Sequence, residues 1–231
     1  MQETLANQEL YRNIAISISM LLFVIFAVSR IIYPKLFASL YSFEKFVLFK
    51  YREDFGSGIR LFSTESFYFT AVLSLNLSFV LLSIYLFTNQ FEGSIPWLKI
   101  GSFGVGILVW FLLSIAIQFI FFFKFVFLRV FGWMFDIPIQ QSRHFQEFQS
   151  FNHSFSLLIY LLFSVSVYIR FNFPTIIFKL AVILVSIYLF FRLINLFFKI
   201  RSSGAYSNLY IFSYLCSTEL MPTLLGLYLI I

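Results

Sequence analysis

Long runs of apolar residues alternate along the chain with short segments that carry most of its charges. A helix that crosses a bilayer needs about 20 mostly apolar residues, and six runs come close to or meet this requirement. The predicted spans cover residues 14–32, 67–87, 97–123, 153–170, 174–198 and 206–231. No repeat or linker divides them. The pattern therefore predicts an all-α membrane protein with a single polytopic domain over residues 1–231.

We expect the first span to be retained rather than cleaved as a signal peptide. A secretory signal carries positive charge before its apolar stretch, whereas here Glu3, Glu9 and a single Arg12 precede it.

Composition indicates lipid as the solvent. Apolar residues make up 61% of the chain and charged residues 11%, whereas about 25% of a soluble domain is charged. The formal charge is +6, but the basic residues are scattered rather than gathered on one face, so no nucleic-acid partner is expected. The single Cys216 has no second cysteine with which to form an intramolecular disulfide.

The distribution of Lys and Arg predicts an orientation. Twelve of the 16 basic residues fall in, or within two helical turns of, the connections after spans one, three and five, and four fall on the other side. Basic residues concentrate in cytoplasmic connections, so both termini are expected outside.

Two of the cytoplasmic connections have amphipathic patterns. Residues 35–51 place apolar side chains every three or four positions, and the polar face carries Lys35 and Lys45, with Lys50 and Arg52 at its end. Such a helix is expected to lie along the anionic inner leaflet. Its apolar face docking on another protein chain is the alternative.

The third run is too long for one span. A helix from Trp97 to Phe135 would have 39 residues and extend ~58 Å, well beyond a ~30 Å hydrocarbon core. We therefore expect a bend near Lys124 or Gly132. A second interfacial helix should follow from Pro138, with Arg143, His144 and Glu147 facing water.

Reactive side chains are scarce. The two histidines, His144 and His153, and the two aspartates, Asp54 and Asp136, all fall in or beside predicted connections. This excludes a bis-histidine haem in the bundle and an intramembrane aspartyl dyad. No nucleophile elbow, phosphate loop or dinucleotide fingerprint occurs, and residues 101–106, rich in glycine, predict close helix packing. No catalytic residue, metal or cofactor is predicted.

Glu219 is the exception, because it lies halfway along the sixth predicted span with Pro222 one turn later. Acidic residues at such depth usually face the bundle interior or a polar cavity. The expected intramembrane polar cluster contains Glu219, Pro222, Cys216, Arg192, Asn76, Gln118 and Asn195. It is expected to fix helix register, to relay a proton or ion, or to contact a partner subunit.

The run from Tyr214 to Pro222 resembles the C-terminal signature of an integral-membrane family from Bacteroidota that is known only as a domain of unknown function. Cys216, Glu219 and Pro222 match its motif, Tyr-Leu-Cys-x-x-Glu-x-x-Pro. The resemblance implies the inner membrane of a Gram-negative envelope and implies no activity.

Three functions remain open from the sequence. The first is a non-enzymatic subunit of an inner-membrane envelope complex, for protein secretion or a membrane motor, with membrane lipid and other protein chains as partners. The second is a small transporter or proton-coupled permease that uses Glu219. The third is an enzyme acting on lipid head groups through His144, His153, Glu147 and Asp136.

Overall fold

The computed structural model describes residues 2–41, 63–87, 100–134, 138–168, 174–201 and 208–220. These ranges are helical and contain no strand. The helices are α1 (Gln2–Ile32), α2 (Pro34–Leu40), α3 (Thr64–Phe87), α4 (Phe103–Met134), α5 (Pro138–Tyr168), α6 (Pro174–Arg201) and α7 (Asn208–Leu215), and a π-helical turn (Cys216–Leu220) follows α7.

Five of these helices are long and apolar enough to cross a membrane. The candidate spans are Glu9–Ile32, Thr64–Leu86, Phe103–Phe131, Glu147–Tyr168 and Lys179–Phe198. Helices suit this environment because they satisfy their own backbone hydrogen bonds where no water is present. The prediction of an all-helical, membrane-type chain is confirmed. Of the sixth predicted span, only residues 208–220 belong to the part of the chain that the structure describes.

Helix α4 runs past the residue at which the sequence placed the end of the third span. It continues as one helix from Phe103 through Lys124 to Met134, and so ends close to Gly132, the second of the two positions at which a bend was expected. The physical reason is that Lys124 has an anionic partner inside the bundle, as described below. Because the charge of Lys124 is compensated within the bundle, the helix can continue past this residue in apolar surroundings.

Helix α5 begins at Pro138 as predicted, but it unites two elements that the sequence had separated. The expected second interfacial helix and the fourth span form one helix, Pro138–Tyr168. Phe145, Phe148 and Phe151, which were expected on an interfacial helix, are all buried, with at most 6% of each exposed. Burying these aromatic side chains against protein keeps the first half of α5 in the bundle.

The bundle is built around α3 and α5. Helix α3 packs against α1, α4 and α5, and 61% of its most apolar window is buried, against 56% for α5. The windows of α4 and α6 are only 22% and 28% buried. The exposed face of α4 is rich in phenylalanine and that of α6 is mostly aliphatic, and both compositions fit contact with lipid chains.

Helix α2 folds back onto the bundle instead of standing apart from it. Leu40 is 1% exposed, and Ser154 Oγ donates to the Leu40 carbonyl at 3.0 Å. Lys35 is exposed at the other end of this short helix. The remainder of the predicted interfacial helix, with Lys45, Lys50 and Arg52, lies outside the described residues.

Gly106 marks a close approach of α1 to α4. A Cβ atom at this position would lie 2.6 Å from Ile14 Cδ1 and 3.1 Å from Ile14 Cγ1, whereas one at Gly104 or Gly101 would meet nothing within 4 Å. The predicted role of residues 101–106 in close packing therefore applies to Gly106 and not to the other two glycines.

Replacing Gly106 with alanine is expected to destabilise the protein relative to the Gly104→Ala variant by about 1–3 kcal/mol, the usual range for overpacking a filled core. Ile14 is 0% exposed and has little room to move aside. Thermal unfolding of both variants in one detergent measures the difference. Equal unfolding temperatures would show that the two helices do not approach as closely as described.

Candidate functional site

Glu219 lies at the centre of a buried ion cluster. Its carboxylate is 3% exposed, and Oε2 accepts hydrogen bonds from Arg192 Nη2 at 2.5 Å and from Lys124 Nζ at 3.0 Å. The Arg192 and Lys124 side chains are 6% and 18% exposed. Two cations from two helices thus converge on one carboxylate oxygen, so this cluster joins α4, α6 and the π-helical turn.

An aromatic ring supports both cations. Phe148, on α5, has its ring centroid 4.2 Å from Lys124 Nζ and 4.5 Å from Arg192 Cζ. The negative face of an aromatic ring attracts cations, most strongly where water is excluded. The edge of the Phe121 ring contacts Phe148, with 6.1 Å between centroids. Helix α5 therefore contributes to the cluster without adding a charge.

Tyr188 connects the cluster to a second part of α5. It lies one turn before Arg192 on α6, near enough for the two side chains to interact. Its hydroxyl donates to Asn152 Oδ1 at 2.7 Å, and its ring stacks on Phe155 with 3.9 Å between centroids. The ion cluster is consequently part of a continuous contact between α5 and α6.

The backbone around Glu219 is a wide turn. Residues Cys216–Leu220 form a π-helical turn at the end of α7, and the hydroxyls of Ser217 and Thr218 donate to the Tyr214 carbonyl at 2.9 and 2.8 Å. Such turns inside α-helices are rare and occur often at functional sites. Cys216 has a free, half-buried thiol, and Pro222 lies outside the described residues.

The cluster lies between the middle of the spans and one of their ends. Lys124 lies seven residues before the end of the candidate span Phe103–Phe131, and Arg192 lies six residues before the end of Lys179–Phe198. At 1.5 Å per residue, each is about 10 Å from that end. The sequence had placed Glu219 halfway through the membrane, and its partners Arg192 and Lys124 lie about 5 and 10 Å to one side of the centres of their spans.

The other polar residues predicted for this cluster have separate locations. Asn76 donates to Ser156 Oγ at 3.4 Å, and Gln118 donates to Thr70 Oγ1 at 3.3 Å. Both bonds link α3 to a neighbouring helix and neither involves Glu219, so these two predicted partners were wrong. Asn195 is buried on α6, three residues after Arg192.

The sequence pattern did not indicate Lys124, because the third span was expected to end just before it. The signal that could have found it is the amount of apolar sequence beyond it, which runs on for another ten residues. A cation with apolar residues on both sides needs an anion, and intramembrane charges usually pair with one another.

His153 is also placed differently from the prediction. It lies inside the candidate span Glu147–Tyr168, is 0% exposed, and its Nδ1 is hydrogen-bonded to the Tyr41 hydroxyl at 3.1 Å. Burial raises the pKa of Tyr41 above its usual value, so this hydroxyl remains neutral. His153 is therefore buried in the bundle rather than exposed at an interface. The side chains of Asp136 and His144 lie outside the described residues.

The chemistry available to the ion cluster is electrostatic. In the described part of the chain, no three His, Cys, Asp or Glu side chains gather to hold a metal ion. A carboxylate held by two cations in a water-poor site stabilises a particular arrangement of helices, because removing any one charge leaves another buried and uncompensated.

Comparison with known proteins gives one match. No curated protein and no solved structure matches the chain. The family model described as Domain of unknown function (DUF4271) matches residues 15–230. As the match covers nearly the whole chain, this integral-membrane protein belongs to that family of unknown function.

Proposed function

We propose that the protein is a non-enzymatic subunit of an inner-membrane envelope assembly, of the kind that secretes proteins or drives a membrane motor. The observation that carries this proposal is the pairing of Glu219 with both Lys124 and Arg192 inside the bundle. The buried charged side chains that could serve catalysis or transport instead bind one another and link separate helices. Such an arrangement is expected of a structural subunit.

The distribution of buried and exposed surface supports the same function. Helices α4 and α6 leave most of their apolar windows uncovered, and exposed phenylalanines such as Phe119 and Phe190 line them. Without a hydrophobic driving force in lipid, helices associate by shape and small polar contacts. Long uncovered helices offer room for the helices of a partner chain.

The proposed arrangement in the membrane has both termini in the periplasm and a sixth span after residue 206. The excess of Lys and Arg around connections one, three and five supports it, and this excess remains when Lys124 and Arg192, which belong to the ion cluster, are left out. In this orientation the ion cluster lies in the cytoplasmic half of the membrane, because α4 and α6 both end on that side.

The two alternatives have weaker support. A permease that moves protons through Glu219 needs a carboxylate that can exchange with water, whereas Glu219 is 3% exposed and bonded to two cations. A head-group enzyme needs its histidine at the interface, whereas His153 is buried among α3 and α5 side chains.

Purification of the tagged chain from its native membrane tests the proposal. In a mild detergent we expect a partner chain in fixed stoichiometry. A photoreactive residue at Phe119 or Phe190 is expected to cross-link that partner, whereas one at Phe163, which is 5% exposed in the core, serves as the control and is not. A clean monomer or homo-oligomer without cross-links would contradict the proposal.

A further inference from the structure

The ion cluster of Glu219, Lys124 and Arg192 contains more positive than negative charge. Within the described residues, both cations pair with Glu219 and with no other acidic side chain. Two positive charges therefore share one negative charge, and the cluster carries a formal charge of +1. A net charge in water-poor surroundings is costly, and charged side chains inside membranes usually pair with one another. The cluster is therefore suited to bind one further anion.

Lys124 is the member of the cluster that a further anion can reach. Its side chain is 18% exposed, whereas those of Arg192 and Glu219 are 6% and 3% exposed. A lysine ammonium group has three N–H donors, and within the described residues one of them donates to Glu219 Oε2. Lys124 therefore combines a positive charge and further donors with access from outside the bundle.

The surface beside Lys124 belongs to the uncovered side of α4. Ile120, one turn before Lys124, and Phe127, nearly one turn after it, are 64% and 55% exposed. Side chains three and four positions apart are neighbours on a helix, so the cation lies at the edge of an exposed apolar surface. A helix that packs on this surface places its own side chains beside the Lys124 ammonium group.

The depth of Lys124 distinguishes two kinds of anion. Lys124 lies seven residues, or about 10 Å, inside the end of the candidate span Phe103–Phe131. Lipid phosphate groups lie outside the hydrocarbon core, whereas a transmembrane helix can present a carboxylate at any depth. A carboxylate on a second helix is therefore the anion that matches this position, and pairing with a cation lowers the cost of carrying it in the membrane.

We propose that Lys124 binds an aspartate or glutamate side chain in a transmembrane helix of the partner subunit, which packs along α4 at Ile120 and Phe127. This inference rests on the proposed function, because it requires a partner chain, and it names the chemistry by which that partner is recognised. The added carboxylate brings the formal charge of the cluster to zero. Apolar contacts with α4 provide complementary shape, and the ion pair fixes the depth of the partner helix.

Co-purification with Lys124 variants tests the proposal. The tagged chain is isolated from its native membrane in a mild detergent, and the amount of partner per tagged chain is measured. We expect Lys124→Gln to reduce this ratio by about tenfold or more, because truncating one member of a buried charge pair speeds dissociation. Lys124→Arg keeps the charge and should retain the partner. Lys179→Gln, the same change at an exposed lysine at the start of the candidate span Lys179–Phe198, should also retain it.

The outcomes separate this inference from the proposed function. If no partner accompanies the unaltered chain, the proposed function is wrong and this inference fails with it. If a partner is present and Lys124→Gln retains it fully, only the recognition by Lys124 is wrong. Loss of bound anionic lipid from this variant, with the partner retained, would overturn the proposal and identify a lipid phosphate as the ligand.

Zero-length cross-linking of the unaltered complex provides a second measurement, which applies even if Lys124→Gln does not fold. A membrane-permeable carbodiimide activates carboxyl groups, and a lysine amine in direct contact then displaces the urea to form an amide. Mass spectrometry is expected to find Lys124 joined to an aspartate or glutamate of a partner helix. Any other result, such as Lys124 joined only to Glu219 or to a second copy of this chain, would overturn the proposal.

Discussion

Replacing Glu219 with glutamine is expected to lower the free energy of unfolding by about 3–5 kcal/mol, the usual effect of removing one partner from a buried ion pair. The substitution keeps the shape of the side chain but removes the charge that Lys124 and Arg192 share. Both cations are then left in a site with little water. Thermal unfolding in a single detergent, together with the yield of folded protein from membranes, measures the loss.

The control for this experiment is Glu9→Gln. Glu9 is exposed at the start of the first candidate span, and losing an exposed charge changes stability by at most about 0.5 kcal/mol. If both variants unfold at the same temperature, the ion cluster does not stabilise the bundle.

Replacing Phe148 with leucine is expected to have the second largest effect. The side chain remains apolar and of similar size, so the core stays filled, but the ring that contacts Lys124 and Arg192 is lost. Buried cation–π contacts contribute up to about 2 kcal/mol each, and the contact with Phe121 is lost as well.

Phe163→Leu provides a matched control for the loss of ring volume. Phe163 lies on the same helix and is equally exposed, at 5%, in the apolar core. We expect Phe148→Leu to be more destabilising by about 1–3 kcal/mol, the additional cost of removing the aromatic face from two cations. An equal loss in the two variants would mean that Phe148 acts only by filling space.

The spans could be predicted from sequence because their signal is strong and local. The second and fifth predicted spans, 67–87 and 174–198, differ from α3 and α6 by at most three residues at either end, since apolar runs bounded by polar residues define them directly. The start of α5 was equally predictable, because proline suits the first turn of a helix.

The boundaries around Lys124 and in α5 could not be predicted, because they depend on partners distant in sequence. From the sequence alone, Lys124 marks the end of a span. Its anionic partner, Glu219, lies 95 residues later, and only the folded structure brings the two together. The spacing of the phenylalanines before His153 fits an interfacial helix as well as a buried one. The contact between Phe125 of α4 and Phe145 distinguishes the two, and it cannot be seen in the sequence. Glu219 and Arg192 could be proposed as a pair, since they are the rare charges in two long apolar runs.

The central claim is that Glu219 and its cations stabilise one another across α4, α6 and the π-helical turn. A double-mutant cycle with Glu219→Leu and Arg192→Met measures this coupling directly. The account predicts that the double variant is more stable than the sum of the single losses implies, with a coupling of about 1–3 kcal/mol, as for residues in one ion network. Losses that simply add would contradict it.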